Sequence, residues 1–137
     1  KGTNASFSKI PNGCPGLETR LPLLFSEGVL KNKISINKFV EITSSKPAKI
    51  YGLYPRKGSI LIGADADLVI WDTKLKKIIK NKDLNHSVDY TPYENMEVNA
   101  WPNTILCRGS VVVEEGQLKI KKGHGQFLRS EISDYVY

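Results

Sequence analysis

Apolar residues in the first part of the chain return at helical intervals. Leu21, Leu24 and Phe25 follow Leu17 in this way, so the pattern predicts an amphipathic helix from Leu17 to about Glu27, with Gly28 near its end. Pro22 fits the first turn of that helix, where no internal N–H bond is lost. Ser35 is the expected N-cap of a second helix, which carries Ile36, Phe39, Val40 and Thr43 on one face. A third starts near Pro47, a good first helical residue after Ser45, and runs through Ala48, Ile50 and Tyr51 until Gly52 stops it. By themselves three short helices in a row have too little to pack on, because an amphipathic face needs an apolar partner.

After Pro55 the period changes. Ile60 and Ile62 alternate with polar or small residues, Leu68-Val69-Ile70-Trp71 is a compact apolar run, and Lys76 to Lys80 is another short strand candidate. Thr104 to Arg108 and Ser110 to Glu114 flank Gly109, and Glu115-Gly116-Gln117 marks a turn before Leu118 and Ile120. These strands are few and short, so the sheet is expected to be completed by strands from elsewhere in a longer protein. The stretch from Lys121 to Tyr137 ends in Ile132, Tyr135, Val136 and Tyr137, apolar residues that need a surface to dock on.

The chain has 137 residues, 40% of them hydrophobic and 25% charged, and no apolar run long enough to cross a bilayer. The expected class is therefore soluble, with no membrane partner. Cys14 and Cys107 are isolated thiols without C-x-x-C spacing, which favours reduced cysteine in the cytoplasm over a disulfide framework. The formal charge of +6 raises the question of nucleic acid. The pattern answers it: Lys74, Lys76, Lys77 and Lys80 surround Leu75, Ile78 and Ile79 as the outward lysines of an exposed strand would, and no recognition helix, stacking aromatic pair or zinc knuckle accompanies them.

Candidate chemistry is sparse. His86 and His124 are too few, and too poorly spaced, for a two-metal centre, which needs several histidines and carboxylates on a pair of ions. Asp65-Ala66-Asp67 is a D-x-D but follows Gly63-Ala64 and precedes an apolar strand, so a turn is the expectation there. His86, Ser87 and Asp89 are too close in sequence to align as a nucleophilic triad. Glu18 and Arg20 sit at a helix start, where structural work is expected: Glu18 near the N-terminal dipole and Arg20 bracing the loop.

Two segments carry a family resemblance. The run from Phe7 to Arg20, with Ile10-Pro11-Asn12-Gly13 at its centre and Gly16-Leu17-Glu18-Thr19-Arg20 after it, and the run from Leu53 to Asp72 together resemble the C-terminal part of the dihydropyrimidinases and D-hydantoinases of the cyclic amidohydrolase family. The resemblance implies an α/β architecture: the C-terminal end of a (β/α)8 metal-dependent hydrolase barrel plus part of a composite β-sandwich. Residues 1–54 correspond to the last loop and helices of the barrel, 55–120 to the sandwich, and 121–137 to a tail that contacts another subunit of a homotetramer.

The function implied is the opening of small cyclic amides, dihydropyrimidines such as dihydrouracil or hydantoins, in pyrimidine breakdown. On that resemblance, two Zn2+ ions would be bridged by a hydroxide and a carboxylated lysine, the hydroxide would attack the ring carbonyl polarised by the metal, and an aspartate would carry the proton to the leaving nitrogen. None of those ligands is assigned in this chain. The aspartate is expected shortly before Lys1, and the 137 residues alone are expected to be inactive. Asn12 and Gly13 are the substrate-binding residues implied: main-chain N–H and C=O at Asn12 hold the imide edge, and Gly13 makes room. Without the flanking match, Pro11-Asn12-Gly13 reads as an ordinary turn. Two departures stand out: Glu94-Asn95 replaces the usual Glu-Gly, placing Asn95 where a left-handed backbone is expected, and Cys14 occupies a variable position. The alternative is a non-catalytic relative of the collapsin-response-mediator type, and Asn12 favours the enzyme over it.

Overall fold

The structure is a computed structural model and describes residues 6–9 and 12–133. A short 3-10 turn, Phe7–Lys9, precedes the first helix, α1 (Arg20–Leu24), which widens without a break into a π-helical turn, Phe25–Val29. The helix begins three residues later than the apolar pattern suggests, because Leu17 is 84% exposed and takes no part in the buried stripe. Pro22 still falls in the first turn, among the N–H positions that have no helical partner anyway. Gly28 lies near the end, as expected, one residue before Val29 closes the helical run. It faces Ile34, whose Cγ1 lies 3.1 Å from where a Cβ would stand, and the chain then turns at Asn32, where φ is +55°.

The second and third helices are one. α2 (Ile36–Val40), the π-helical turn Glu41–Ser45 and α3 (Lys46–Ile50) run on continuously, with Ser45 itself helical. Ser35 caps the start as expected, its Oγ accepting from Lys38 N at 3.1 Å. Pro47 does not start a new helix, because the wider turn before it accommodates a residue that has no N–H to give. The end is at Gly52 (φ +63°), where Gly52 N donates to Lys49 O and Leu53 N to Ala48 O, at 3.1 and 2.8 Å.

An antiparallel sheet follows, in the order β1 (Leu68–Asp72), β4 (Trp101–Cys107), β5 (Ser110–Glu114), β6 (Gln117–Leu118). The hairpins close at Arg108-Gly109 and Glu115-Gly116, at the turns expected from sequence. The β1/β4 register skips Asn103, a bulge next to Pro102, which has no N–H for a regular ladder. A separate pair joins β2 (Lys77–Ile78) to β3 (Glu97–Val98). Its lysines are not all outward. Lys77 is half-buried with Nζ 3.8 Å from the centre of the Trp101 ring, and Ile79 is fully buried. Asn95 has φ +67°, the left-handed backbone expected there.

Ile60 and Ile62 form no strand. Both are exposed, at 85% and 109%, and no described residue lies alongside to share a ladder with them.

Helices and sheet meet at three rings. Phe25 stacks on Trp71 of β1 at 4.9 Å and 16°, and Phe39 stands edge-on to both, at 5.2 and 5.7 Å. Ala100 is buried in the same cluster, with Leu21, Leu24, Val29 and Ile34 around it. Ser26 Oγ, buried beside Phe25, accepts from Asn99 N at 2.9 Å.

The segment between Gly52 and β1 is held by charge. Lys57 Nζ lies 2.8 Å from Asp65 Oδ2 and also bonds Asp67, while Arg56 Nε reaches Asp65 at 3.1 Å. Asp67 also accepts from Arg108 N at 2.8 Å. The D-x-D carboxylates are thus committed to side-chain cations and backbone. The hydrogen bond from Lys57 holds Asp65 below its ordinary pKa, with Arg56 helping and partial desolvation opposing. At Asp67 burial opposes ionisation, but Lys57 and the Arg108 N–H outweigh it and lower the pKa. Burial likewise pulls the Lys57 pKa down, and its two carboxylate partners raise it on balance.

Beyond β6 the chain returns to the helices. Glu131 N donates to Gly52 O at 3.0 Å, and Ser133 Oγ to Lys49 O at 2.8 Å. Of the apolar residues expected to need a docking surface, Ile132 is 75% exposed, and Tyr135 to Tyr137 lie outside the described part.

Two outcomes follow from these contacts. Gly52→Ala places a Cβ 1.9 Å from Glu131 O on top of a left-handed backbone, so it should cost about 1–2 kcal/mol from φ alone and release the tail, read as a lower melting temperature and new proteolysis after residue 119. Because Asp65 and Asp67 titrate lower when folded, their stabilisation is present above the ordinary carboxylate pKa and is lost as pH falls through the folded values, below about pH 4. Asp67→Asn should flatten that acid limb in denaturation midpoints measured from pH 5 to 2.5, and an unchanged slope counts against the network.

Candidate functional site

The turn singled out from sequence lies on the surface. Asn12 and Gly13 are both exposed, and Ile10 and Pro11 before them lie outside the described residues. Gly13 has φ +79°, and nothing stands within 4 Å of where a Cβ would be. Its missing side chain therefore leaves open space on that side, and its carbonyl accepts from the Tyr90 hydroxyl at 3.3 Å.

The turn leads into α1 through a short linker fastened at several points. Gly16 O accepts from Arg20 N at 2.8 Å and from Thr19 Oγ1 at 3.5 Å, and Thr19 is buried. The Tyr93 ring lies 3.4 Å from where a Gly16 Cβ would be. Glu18, two residues ahead of α1, has a specific partner. Its Oε2 accepts from Asn85 N at 2.7 Å and its Oε1 from Asn85 Nδ2 at 3.3 Å, so the carboxylate ties the linker to a loop far along the chain. Arg20 opens α1 with its side chain exposed.

Between linker and loop runs an open groove of about 490 Å³, lined by Cys14, Leu17, Glu18, Leu84, His86 and Val88 among others. His86 Nε2 lies 2.8 Å from Asn81 Oδ1, and Asn81 N donates to Glu94 Oε2 at 2.7 Å. His86 is thus part of a loop-bracing set. His124 lies elsewhere, its Nε2 buried without a hydrogen-bond partner among the described residues and its carbonyl bonded by Arg108.

Among the described residues no three His, Cys, Asp or Glu side chains come together as metal ligands. This donor set does not fit a metal centre, since the D-x-D carboxylates, Asp65 and Asp67, already face Lys57 and Arg56. What this part of the molecule offers is backbone polarity at an exposed turn, supported from behind. Sequence reasoning named Asn12 and Gly13, and it did not name Asn85, Tyr90 and Tyr93, which the structure brings against residues 13–18. The available signal was slight: a polar run, Asn85-His86-Ser87, followed by tyrosines in a loop with no apolar period to bury them.

The Amidohydrolase family model matches residues 14–112. A D-hydantoinase of Geobacillus stearothermophilus is 48% identical over 123 residues, which cover 90% of this chain and 26% of that protein. A dihydropyrimidinase of Rattus norvegicus is 39% identical over 132 residues, covering 96% and 25%. The solved structure of a D-hydantoinase (dihydropyrimidinase) from Thermus sp. superposes with a TM-score of 0.87 at 41% identity, over 92% of this chain and 28% of that one. The chain thus spans about a quarter of the length of the curated relatives it matches. The match to the family model takes in most of the chain, from the linker beside the exposed turn to β5, and the chain belongs to the amidohydrolase family.

Proposed function

We propose that this chain is the C-terminal part of a hydrolase that opens cyclic amides, dihydropyrimidines such as dihydrouracil or hydantoins. The observation that carries the reading is the exposed Asn12-Gly13 turn, left-handed at Gly13 and clear on its outer side, in a chain whose relatives are named D-hydantoinase and dihydropyrimidinase. A cyclic imide presents acceptor, donor and acceptor along one edge. A main-chain N–H and C=O at Asn12 match part of that edge, and Gly13 lets a flat ring come close. The chain's own share of the reaction, on this reading, is to bind and orient the substrate.

The parent would then be built as a (β/α)8 barrel and a composite sandwich. Residues 1–54 would close the barrel, 55–120 would complete the sandwich, and 121–137 would lie against a neighbouring subunit of a tetramer in the cytoplasm. The exposed Ile60, Leu61 and Ile62 support this, as strand material without a partner. The described residues do not fit a metal centre, so the Zn2+ ions that hydroxide chemistry in this family calls for would be held by residues outside this chain.

Three measurements on the parent and on the chain test the proposal. The full-length protein should contain zinc and hydrolyse dihydrouracil or a hydantoin, and an intact protein without metal or turnover refutes the assignment. Gly13→Ala should raise KM by about tenfold, the equivalent of the ~1.4 kcal/mol that a strained left-handed residue would divert from binding. The 137 residues alone should show no ring opening, and zinc-dependent turnover by them would place the site elsewhere.

A further inference from the structure

Resting on the substrate-facing reading of Asn12 and Gly13, we propose that Glu18 and Tyr90 are positioning residues for that turn, Tyr90 reaching it from the loop 85–93 and Glu18 fastening its linker to the same loop. The contacts come from one segment, 85–93, and land on one segment, 13–18. Tyr90 donates its hydroxyl proton to Gly13 O, Asn85 gives backbone and side-chain N–H groups to the Glu18 carboxylate, and Tyr93 fills the space beside Gly16.

The physical need is plain. An exposed turn with a left-handed glycine and no side-chain packing at its tip has several backbone conformations of similar energy. Holding the Gly13 carbonyl fixes the peptide plane after Gly13, and anchoring Glu18 fixes the chain on the other side of Cys14 to Leu17. Between them the orientation of the Asn12 N–H and C=O is narrowed, and preorganised donors and acceptors bind at a smaller entropic cost. The Glu18–Asn85 link is the stronger of the two: it is charge-assisted, two-pronged and short at 2.7 Å on its backbone arm. Neither residue touches the substrate on this account, so their loss should weaken binding while leaving the chemical step as it is.

The test is steady-state hydrolysis of dihydrouracil by the full-length parent. Tyr90→Phe and Glu18→Ala should each raise KM about 5- to 20-fold with kcat within about twofold of the parent, at an unchanged melting temperature. Glu18→Gln, which keeps one oxygen to accept from Asn85 N, should recover part of the loss. Gly13→Ala run alongside separates the two levels. If it raises KM while folded Tyr90→Phe and Glu18→Ala enzymes keep the parent's KM, or lose only active protein, the positioning role is overturned and the reading of the turn stands. If Gly13→Ala leaves KM unchanged, the reading of the turn fails and this inference goes with it.

Discussion

The stack of Phe25 on Trp71, with Phe39 edge-on to both, is the contact on which the two halves of this chain depend. The helices present an apolar stripe with little else to cover it, and β1 offers a single large ring. Each aromatic pair contributes on the order of 1 kcal/mol beyond the area it buries. The geometry matters as much as the energy. Stacked and edge-on rings fix the roll of both helices relative to β1, and that sets the direction in which the linker at 14–19 leaves α1. Ser26, one residue after Phe25, adds a directional bond to Asn99 in the same place.

The core is small: among the described residues, the buried hydrophobic side chains outside that cluster are Ala48, Ile79 and Val98. The accessible surface is 10375 Å² for a mass of 15.3 kDa, where a compact monomer of that mass would expose roughly 7,100 Å². Large apolar side chains contribute to it: Ile60, Leu61, Ile62, Val69 and Ile70 are all exposed, and Ile60 and Val69 help line an open groove of about 430 Å³ between the second helix and β1. A surface of this kind needs a cover. The fraction of each relative that the chain matches, about a quarter, leaves ample polypeptide to supply one.

What could be read beforehand was local. Ser35 announced its helix because a hydroxyl before an apolar stripe has one obvious N–H to cap. The hairpins at Gly109 and Gly116, and the left-handed Asn95, were legible because a turn depends on the backbone freedom of a few consecutive residues. The features that eluded the pattern are those where a distant part of the chain overrides a local rule. Pro47 should begin a helix, but a π-helical turn lets the preceding one run through it. Ile60 and Ile62 alternate like a strand and are not one, since a ladder takes two partners. The Glu18–Asn85 and Tyr90–Gly13 contacts were invisible for the same reason: nothing in a run of loop residues states which other loop it will meet. The proposal that the Asn12-Gly13 turn meets substrate came from family likeness, because Asn-Gly in isolation specifies only a bend.

The D-x-D shows how context decides chemistry. Two carboxylates one residue apart satisfy the donor chemistry of a cation site, and in an empty loop they would repel each other until something positive arrived. Here the positive groups are already in the chain. Lys57 sits between Asp65 and Asp67, Arg56 shares the same Asp65 oxygen with it, and the Arg108 N–H takes the other oxygen of Asp67. An ion entering this loop would first have to displace a half-buried ammonium whose own pKa has been raised by the same carboxylates. The Arg108 bond also hooks the loop to the β4–β5 hairpin, and Gly109 N repeats the hook at Ala66 O. The loop thus spends its charge on holding Pro55 to Asp67 against the sheet, beside Ile60 to Ile62, which have no apolar cover among the described residues.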